Sequence, residues 1–168
     1  TSNIESRLLT VRADLSHDLG LSPRDLPFAG ELIDPIDPEW EPVVQRQLRG
    51  LAATLLVADT VFPRVRQWVD EHHLGPRLLI NAVHTRESYS PPQLAHNAVP
   101  RKVEVISSPF RDWLLAELGK RHNYLCVPDA AALDRWRPRD NGVTLQGLVR
   151  HALRAGDPTE RLEKDDRR

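Results

Sequence analysis

The chain has 168 residues, a mass of 19.1 kDa, a formal net charge of −1, 40% hydrophobic and 28% charged side chains. That balance excludes a disordered chain, and the length suits one domain with a real core. No run approaches the roughly 18 apolar residues of a membrane span. The N-terminal stretch carries a charge every few residues, unlike a signal peptide, and the lone cysteine, Cys126, excludes an internal disulfide and a multi-cysteine zinc site.

Cysteine usage predicts a reducing, cytoplasmic compartment. The absence of methionine predicts an excised or processed piece, and the dominance of arginine, with only Lys102, Lys120 and Lys164 as lysines, suggests a GC-rich bacterial genome.

In chain order, Ile4, Leu8, Val11 and Leu15 step by heptad spacing on a first helix that Gly20 ends. This is either the end of a coiled-coil arm or an ordinary packing helix. A capping residue followed by proline then recurs at Ser22-Pro23, Asp37-Pro38, Ser90-Pro91, Ser108-Pro109 and Asp157-Pro158. Each pair predicts a helix start, because the cap oxygen accepts from an orphan N–H and proline has none to lose. Ser90 with Gln93 and Asp157 with Glu160 add capping-box spacing. Strands are predicted over 31–33, 52–57, 78–83, 102–106 and 124–127, which are short and rich in Val, Ile and Leu. Helices are predicted over 38–49, 60–73, 109–122 and 130–136, and a last one from Asp157 to the end with Leu162 as its only apolar residue. Alternating strand and helix predict an α/β fold: one compact domain with a mixed, partly parallel sheet flanked by helices, with a helix leading in and another leading out. The boundaries are 1–19 for the incoming arm, 20–156 for the domain and 157–168 for the outgoing arm.

No phosphate loop, dinucleotide fingerprint or nucleophile elbow is present. Cys126 lies in an apolar run and reads as a buried thiol. His72 and His73 end a helix and suit its C-terminal carbonyls. No catalytic residue, metal ligand or cofactor is expected. The one alternative of that class is a metal-dependent phosphodiesterase using Glu31, Asp34 and Asp37, although the interleaved prolines read as a turn and a cap. The first 60 residues are acidic, which leaves room for a monomeric adaptor docking through that half. The remainder is basic, and its clusters place weak, non-specific DNA contacts on Arg101, Lys102, Lys120, Arg121, Arg135, Arg137 and Arg139.

Ordered stretches of the chain resemble the hinge region of the MukB-like SMC proteins of the Wadjet group, known as JetC, MksB or EptC. The first is Leu26-Pro27-Phe28-Ala29-Gly30-Glu31-Leu32-Ile33 followed by Trp40, Gln45-Arg46 and residues 55–57. The second is Glu71-His72-His73-Leu74-Gly75-Pro76-Arg77-Leu78-Leu79, and the third spans 107–118, SSPFRDWLLAEL. The last joins Thr144, Gly147 and Arg150-His151 to Arg161-Leu162-Glu163-Lys164-Asp165-Asp166-Arg167. The resemblance implies a hinge that dimerises two SMC chains at the far end of a coiled coil. Its partners would be a second copy of itself, DNA, and the kleisin, accessory subunits and nuclease of a complex that acts in plasmid restriction or chromosome organisation. ATPase heads would lie elsewhere, and the location would be cytoplasmic, on nucleoid or plasmid. The dimer interface would lie among edge strands or the helices carrying Trp68, Trp113 and Trp136.

Overall fold

The computed structural model describes residues 4–75, 77–90, 93–135, 140–152 and 161–164. Its helices are α1 (Ser6–Leu19), α2 (Glu41–Gln47), α3 (Arg49–Ala52), α4 (Phe62–Glu71), α5 (Arg111–Arg121) and α6 (Ala130–Asp134). Its strands are β1 (Ile33–Pro35), β2 (Thr54–Ala58), β3 (Leu79–Val83), β4 (Val103–Val105), β5 (Leu125–Val127), β6 (Gly142–Thr144), β7 (Leu148–His151) and β8 (Arg161–Lys164). The α/β class expected from alternation is the one observed. The chain divides into two compact units, the first from Thr1–Asp34, Leu48–Ser90 and Val105–Ala116, the second from Pro35–Gln47, Pro91–Glu104 and Glu117–Arg168.

The first unit is organised by burial. The stripe of α1 is its own core: Leu8, Val11 and Leu15 pack with Leu26, Phe28, Leu55, Val57, Val65 and Trp68. The heptad spacing of α1 is therefore a packing stripe over these residues. Gly20 ends the helix in the left-handed conformation at φ 67°, with its N–H and that of Leu21 returned to the His17 and Ser16 carbonyls. β2 and β3 pair in parallel from Thr54 with Leu79 to Ala58 with Val83, and α4 is the crossover that parallel strands require. The interior of β2, Leu55 to Val57, is fully buried, which explains its unbroken apolar run.

The second unit holds a four-stranded sheet in the order β5-β6-β7-β8, parallel between β5 and β6 and antiparallel thereafter. Leu125, Val127, Ala132 and Leu133 form a buried cluster beneath it. Asp129 caps α6, its carboxylate accepting from Ala132 N–H at 2.8 Å. The β6–β7 turn closes through Gly147, at φ 87°, whose N–H reaches the Thr144 carbonyl, while the Thr144 hydroxyl accepts from Leu148 N–H.

Several expectations are corrected. Residues 161–164 are not helical: they form β8, paired antiparallel with β7 from Leu148 with Lys164 to His151 with Arg161. One apolar residue cannot form a helical stripe, whereas a sheet edge offers the backbone immediate partners. The Asp157-Pro158 cap lies outside the described residues. The helix expected over 38–49 starts only at Glu41, because Asp37 first closes a turn through the Glu39 and Trp40 N–H groups. Ser90 starts no helix over residues 93–95. β6 and β7 were not expected, being too short to show a period.

Candidate functional site

The described cations of the proposed DNA set all fall in the second unit. Lys102, at the end of the 3-10 turn Val99–Lys102, is held by Asp37 at 2.8 Å and lies 5.8 Å from the Trp40 ring centroid. That ammonium holds the Asp37 carboxyl below its ordinary value. Arg101 donates from Nε to the Ala95 carbonyl at 3.1 Å. Arg121 meets Glu117 one helical turn back at 2.5 Å through Nε. The side chains of Lys120 and Arg135 are exposed and make no hydrogen bond to the described residues. Arg137 and Arg139 lie outside the described residues. The structure thus leaves Lys120 and Arg135 as exposed cations and ties Lys102 and Arg101 to the local fold.

The three carboxylates of the phosphodiesterase alternative are not gathered. Glu31 pairs with Arg12 in the first unit through both oxygens, and also accepts from Phe28 N–H at 2.9 Å. Asp34 belongs to the first unit, and Asp37 to the second with Lys102. Among the described residues no three His, Cys, Asp or Glu side chains are grouped to hold a metal ion.

The tryptophans expected near an interface divide. Trp68 is buried in the first unit, its indole N–H donates to Asp18 Oδ2 at 2.7 Å, and the His72 ring stacks on it at 4.0 Å. His72 Nδ1–H caps the Trp68 carbonyl at 2.6 Å, the C-terminal role expected of it. Trp113 is half-buried, and Trp136 lies outside the described residues. Cys126 is buried, and burial pushes its thiol up to about 11, which leaves it protonated and inert.

Sequence reasoning missed a cavity of about 280 Å³ built wholly by the second unit. Val43 from α2, Val143 from β6 and Val149 from β7 give it apolar walls. Arg121, His122, Tyr124, His151 and Glu163 bring polar groups to it. His151 bridges two of them, with Nδ1 2.9 Å from the Tyr124 hydroxyl and Nε2 3.0 Å from Glu163 Oε2. A carboxylate only accepts, so Nε2 donates to Glu163, while Nδ1 meets the Tyr124 hydroxyl. Burial raises the Tyr124 phenol and lowers the His122 imidazole from their ordinary values, so both stay neutral near pH 7. Arg150, on the same strand as His151, is 2% exposed and donates to the Asp140 and Leu133 carbonyls at 3.2 and 2.9 Å. The only hint in the sequence was the His-x-Tyr and Arg-His pairing at two strand ends.

Among the described residues no helix is long and apolar enough to cross a membrane. No family model matches the chain, and no curated protein does. Solved structures do. The chain is similar to the Pyrococcus furiosus Smc hinge domain with an extended coiled coil, with TM-score 0.63 and 18% identity over 94% of this chain and 57% of that one. It is also similar to an asymmetric dimer of the Geobacillus stearothermophilus SMC hinge domain, with TM-score 0.64 and 15% identity over 97% of this chain and 67% of that one. A third match, the folded elbow of cohesin, has TM-score 0.59 and 15% identity over 93% of this chain and 24% of that one. The fold is that of SMC hinge domains.

Proposed function

We propose that this chain is a hinge: a non-catalytic dimerisation domain of a bacterial SMC-like protein, which joins two copies at the far end of their coiled-coil arms. The observation that carries the reading is the agreement of fold over nearly the whole chain with hinge domains, one of them solved as a dimer. The sequence resemblance to the MukB-like group narrows it to a protein acting on nucleoid or plasmid DNA with kleisin, accessory and nuclease partners and with ATPase heads elsewhere. On this reading α1, packed into the first unit, and β8, paired with β7, are the points at which the chain meets its two arms. The outer side of β8 suits self-association. All four of its residues are exposed, Leu162 by 51%, and it is the last strand of its sheet among the described residues. A strand at the end of a sheet, with an exposed leucine, is a ready template for a second chain. DNA would contact Lys120 and Arg135, with Arg137 and Arg139 beyond the described residues.

Light scattering across a dilution series tests the central claim. A mass near twice 19.1 kDa that persists on dilution is expected, and Leu162→Asp at the exposed edge lowers it. A monomer at every concentration refutes self-association by this chain and returns weight to an adaptor. For DNA, Lys120→Glu with Arg135→Glu weakens binding and reduces the salt slope by about 2, roughly one per lost phosphate contact. An unchanged slope removes both residues from the interface.

A further inference from the structure

We propose that His151 is a positioning residue that sets the register of β8, and so decides which side chain this outer strand presents to a second copy. This rests on the reading of β8 as the self-association edge, whereas the register itself is a property of the single chain. Two ordinary determinants of register are weak here. Burial selects a register when one face of a strand is hidden, yet all four residues of β8 are exposed. A two-residue turn fixes the pairing of a hairpin, but β7 ends at His151 and β8 begins at Arg161, too far apart in sequence for such a turn. Side-chain contacts across the ladder are left to choose. The ladder sets Val149 opposite Glu163, Arg150 opposite Leu162 and His151 opposite Arg161. By alternation Val149, His151 and Glu163 share the face that lines the cavity, and Leu162 takes the other face with Arg150. Glu163 is the diagonal neighbour of His151, and its Oε2 accepts from Nε2 at 3.0 Å. The imidazole is aimed from its other side. Nδ1 lies 2.9 Å from the Tyr124 hydroxyl, and the two rings meet edge to face with centroids 5.9 Å apart. Tyr124 is itself held, its carbonyl accepting from Val99 N–H and its own N–H donating to the His122 carbonyl, each at 2.8 Å. A slip of one residue would put Leu162 or Lys164 opposite Val149, in the place of Glu163. Neither can accept a hydrogen bond, because leucine has no polar side-chain atom and an ammonium only donates. The same slip turns Leu162 to the cavity face. His151 therefore discriminates against the two neighbouring registers, and that discrimination keeps Leu162 on its side of the strand.

NMR of the whole chain reads the register from cross-strand NOEs. The parent pairs Val149 with Glu163 and Arg150 with Leu162. Glu163→Gln keeps an acceptor and is expected to keep both pairs. Glu163→Leu removes the acceptor at a side chain that is 60% exposed, and His151→Phe removes the donor while keeping a ring. Each of these two is expected to raise the population with NOEs offset by one residue about tenfold, the worth of a hydrogen bond to a charged group. The Cys126–Val143 pair reports that the sheet is intact, and if His151→Phe loses it, Glu163→Leu decides. Native pairs unchanged in Glu163→Leu overturn the proposal. So does loss of the β7–β8 NOEs with no offset set, since His151 then clamps the strand without choosing its register. Light scattering of the same samples tests the link to self-association. The mass is expected to fall in Glu163→Leu and to hold in Glu163→Gln. A doubled mass despite an offset register refutes the link. A monomeric parent whose variants slip refutes the hinge reading and upholds His151 as the determinant of register.

Discussion

The two units of this chain reach order by different physical routes. The first draws nine buried residues from α1, β2, α4 and the stretch around Phe28 into one apolar cluster, and its polar bonds, such as Trp68 to Asp18, sit at the margin. The second has a cluster of four buried apolar residues and keeps a 2%-exposed guanidinium, Arg150, which donates to the Asp140 and Leu133 carbonyls. A cluster held by apolar burial tolerates no lost volume but is indifferent to pH and salt. A sheet that carries a buried guanidinium and a Tyr–His–Glu chain has its stability tied to polar partners being in place. The difference teaches where function has room: the titratable and cavity-lining groups belong to the unit that has more of them to spare from packing.

The largest expected effect that would break this contrast comes from volume. Phe28→Ala removes a fully buried ring from the first cluster and should cost about 3–5 kcal/mol in denaturant unfolding. Leu133→Ala in the second should cost about 2–3 kcal/mol, the low end for leucine, because its cluster is smaller. A larger loss at Leu133 than at Phe28 would reverse the comparison. Next comes Gly142→Ala, whose new methyl would overlap Leu133 Cδ1. About 1–3 kcal/mol is expected, and Leu133→Ala should recover part of it, because neighbouring sites are coupled. Equal costs with and without Leu133 would mean that the overlap is relieved elsewhere. A smaller effect follows from Asp18→Ala. It leaves the Trp68 indole N–H without its acceptor and should cost about 1 kcal/mol, whereas Asp18→Asn, which keeps an oxygen, should cost less.

The smallest effects are the two histidine slopes, and they run in opposite directions. His122 in the second unit has its proton affinity lowered by burial. Its folded form binds fewer protons than its unfolded form, so stability falls as pH drops below about 6.5 and towards the depressed folded value. His84 in the first unit accepts help from Asp59, 2.8 Å away, and from Glu87, and its proton affinity is raised. Its contribution is fully present below about 6.5 and is lost as pH rises through the folded value. Unfolding of His122→Gln and His84→Gln at several pH values should flatten these slopes separately. Parallel slopes in the two variants would contradict the assignment.

Much of the first unit was legible in the sequence because its determinants are local. Gly20, the β2 run and the Leu8–Val11–Leu15 spacing each announce their element within a few residues. The five expected strands all exist within two residues of their places. The second unit was legible in part. β5 and α6 were read correctly, but β6, β7 and β8 are three or four residues long and owe their existence to one another across turns. The cavity joins α2 to a strand that begins a hundred residues later, and no local pattern encodes such a meeting. Arg150 shows the same limit from another side. A basic residue beside a histidine reads as surface, yet the carbonyls that accept from it lie ten and seventeen residues away. The family resemblance found the order of the pieces and not what they enclose.

The interleaving of the two units has a consequence for synthesis. The chain changes unit five times, so neither unit is one continuous stretch. A ribosome delivering residues in order has released α1, β2, α4 and β3 well before Val105–Ala116 arrives to finish the first unit. The segment Pro35–Gln47 of the second must wait for everything after Glu117. The nascent protein therefore exposes Trp40, Val43 and Val44, all buried at the end, until the residues after Glu117 have emerged. It is during translation, more than in the finished fold, that this molecule most needs a chaperone.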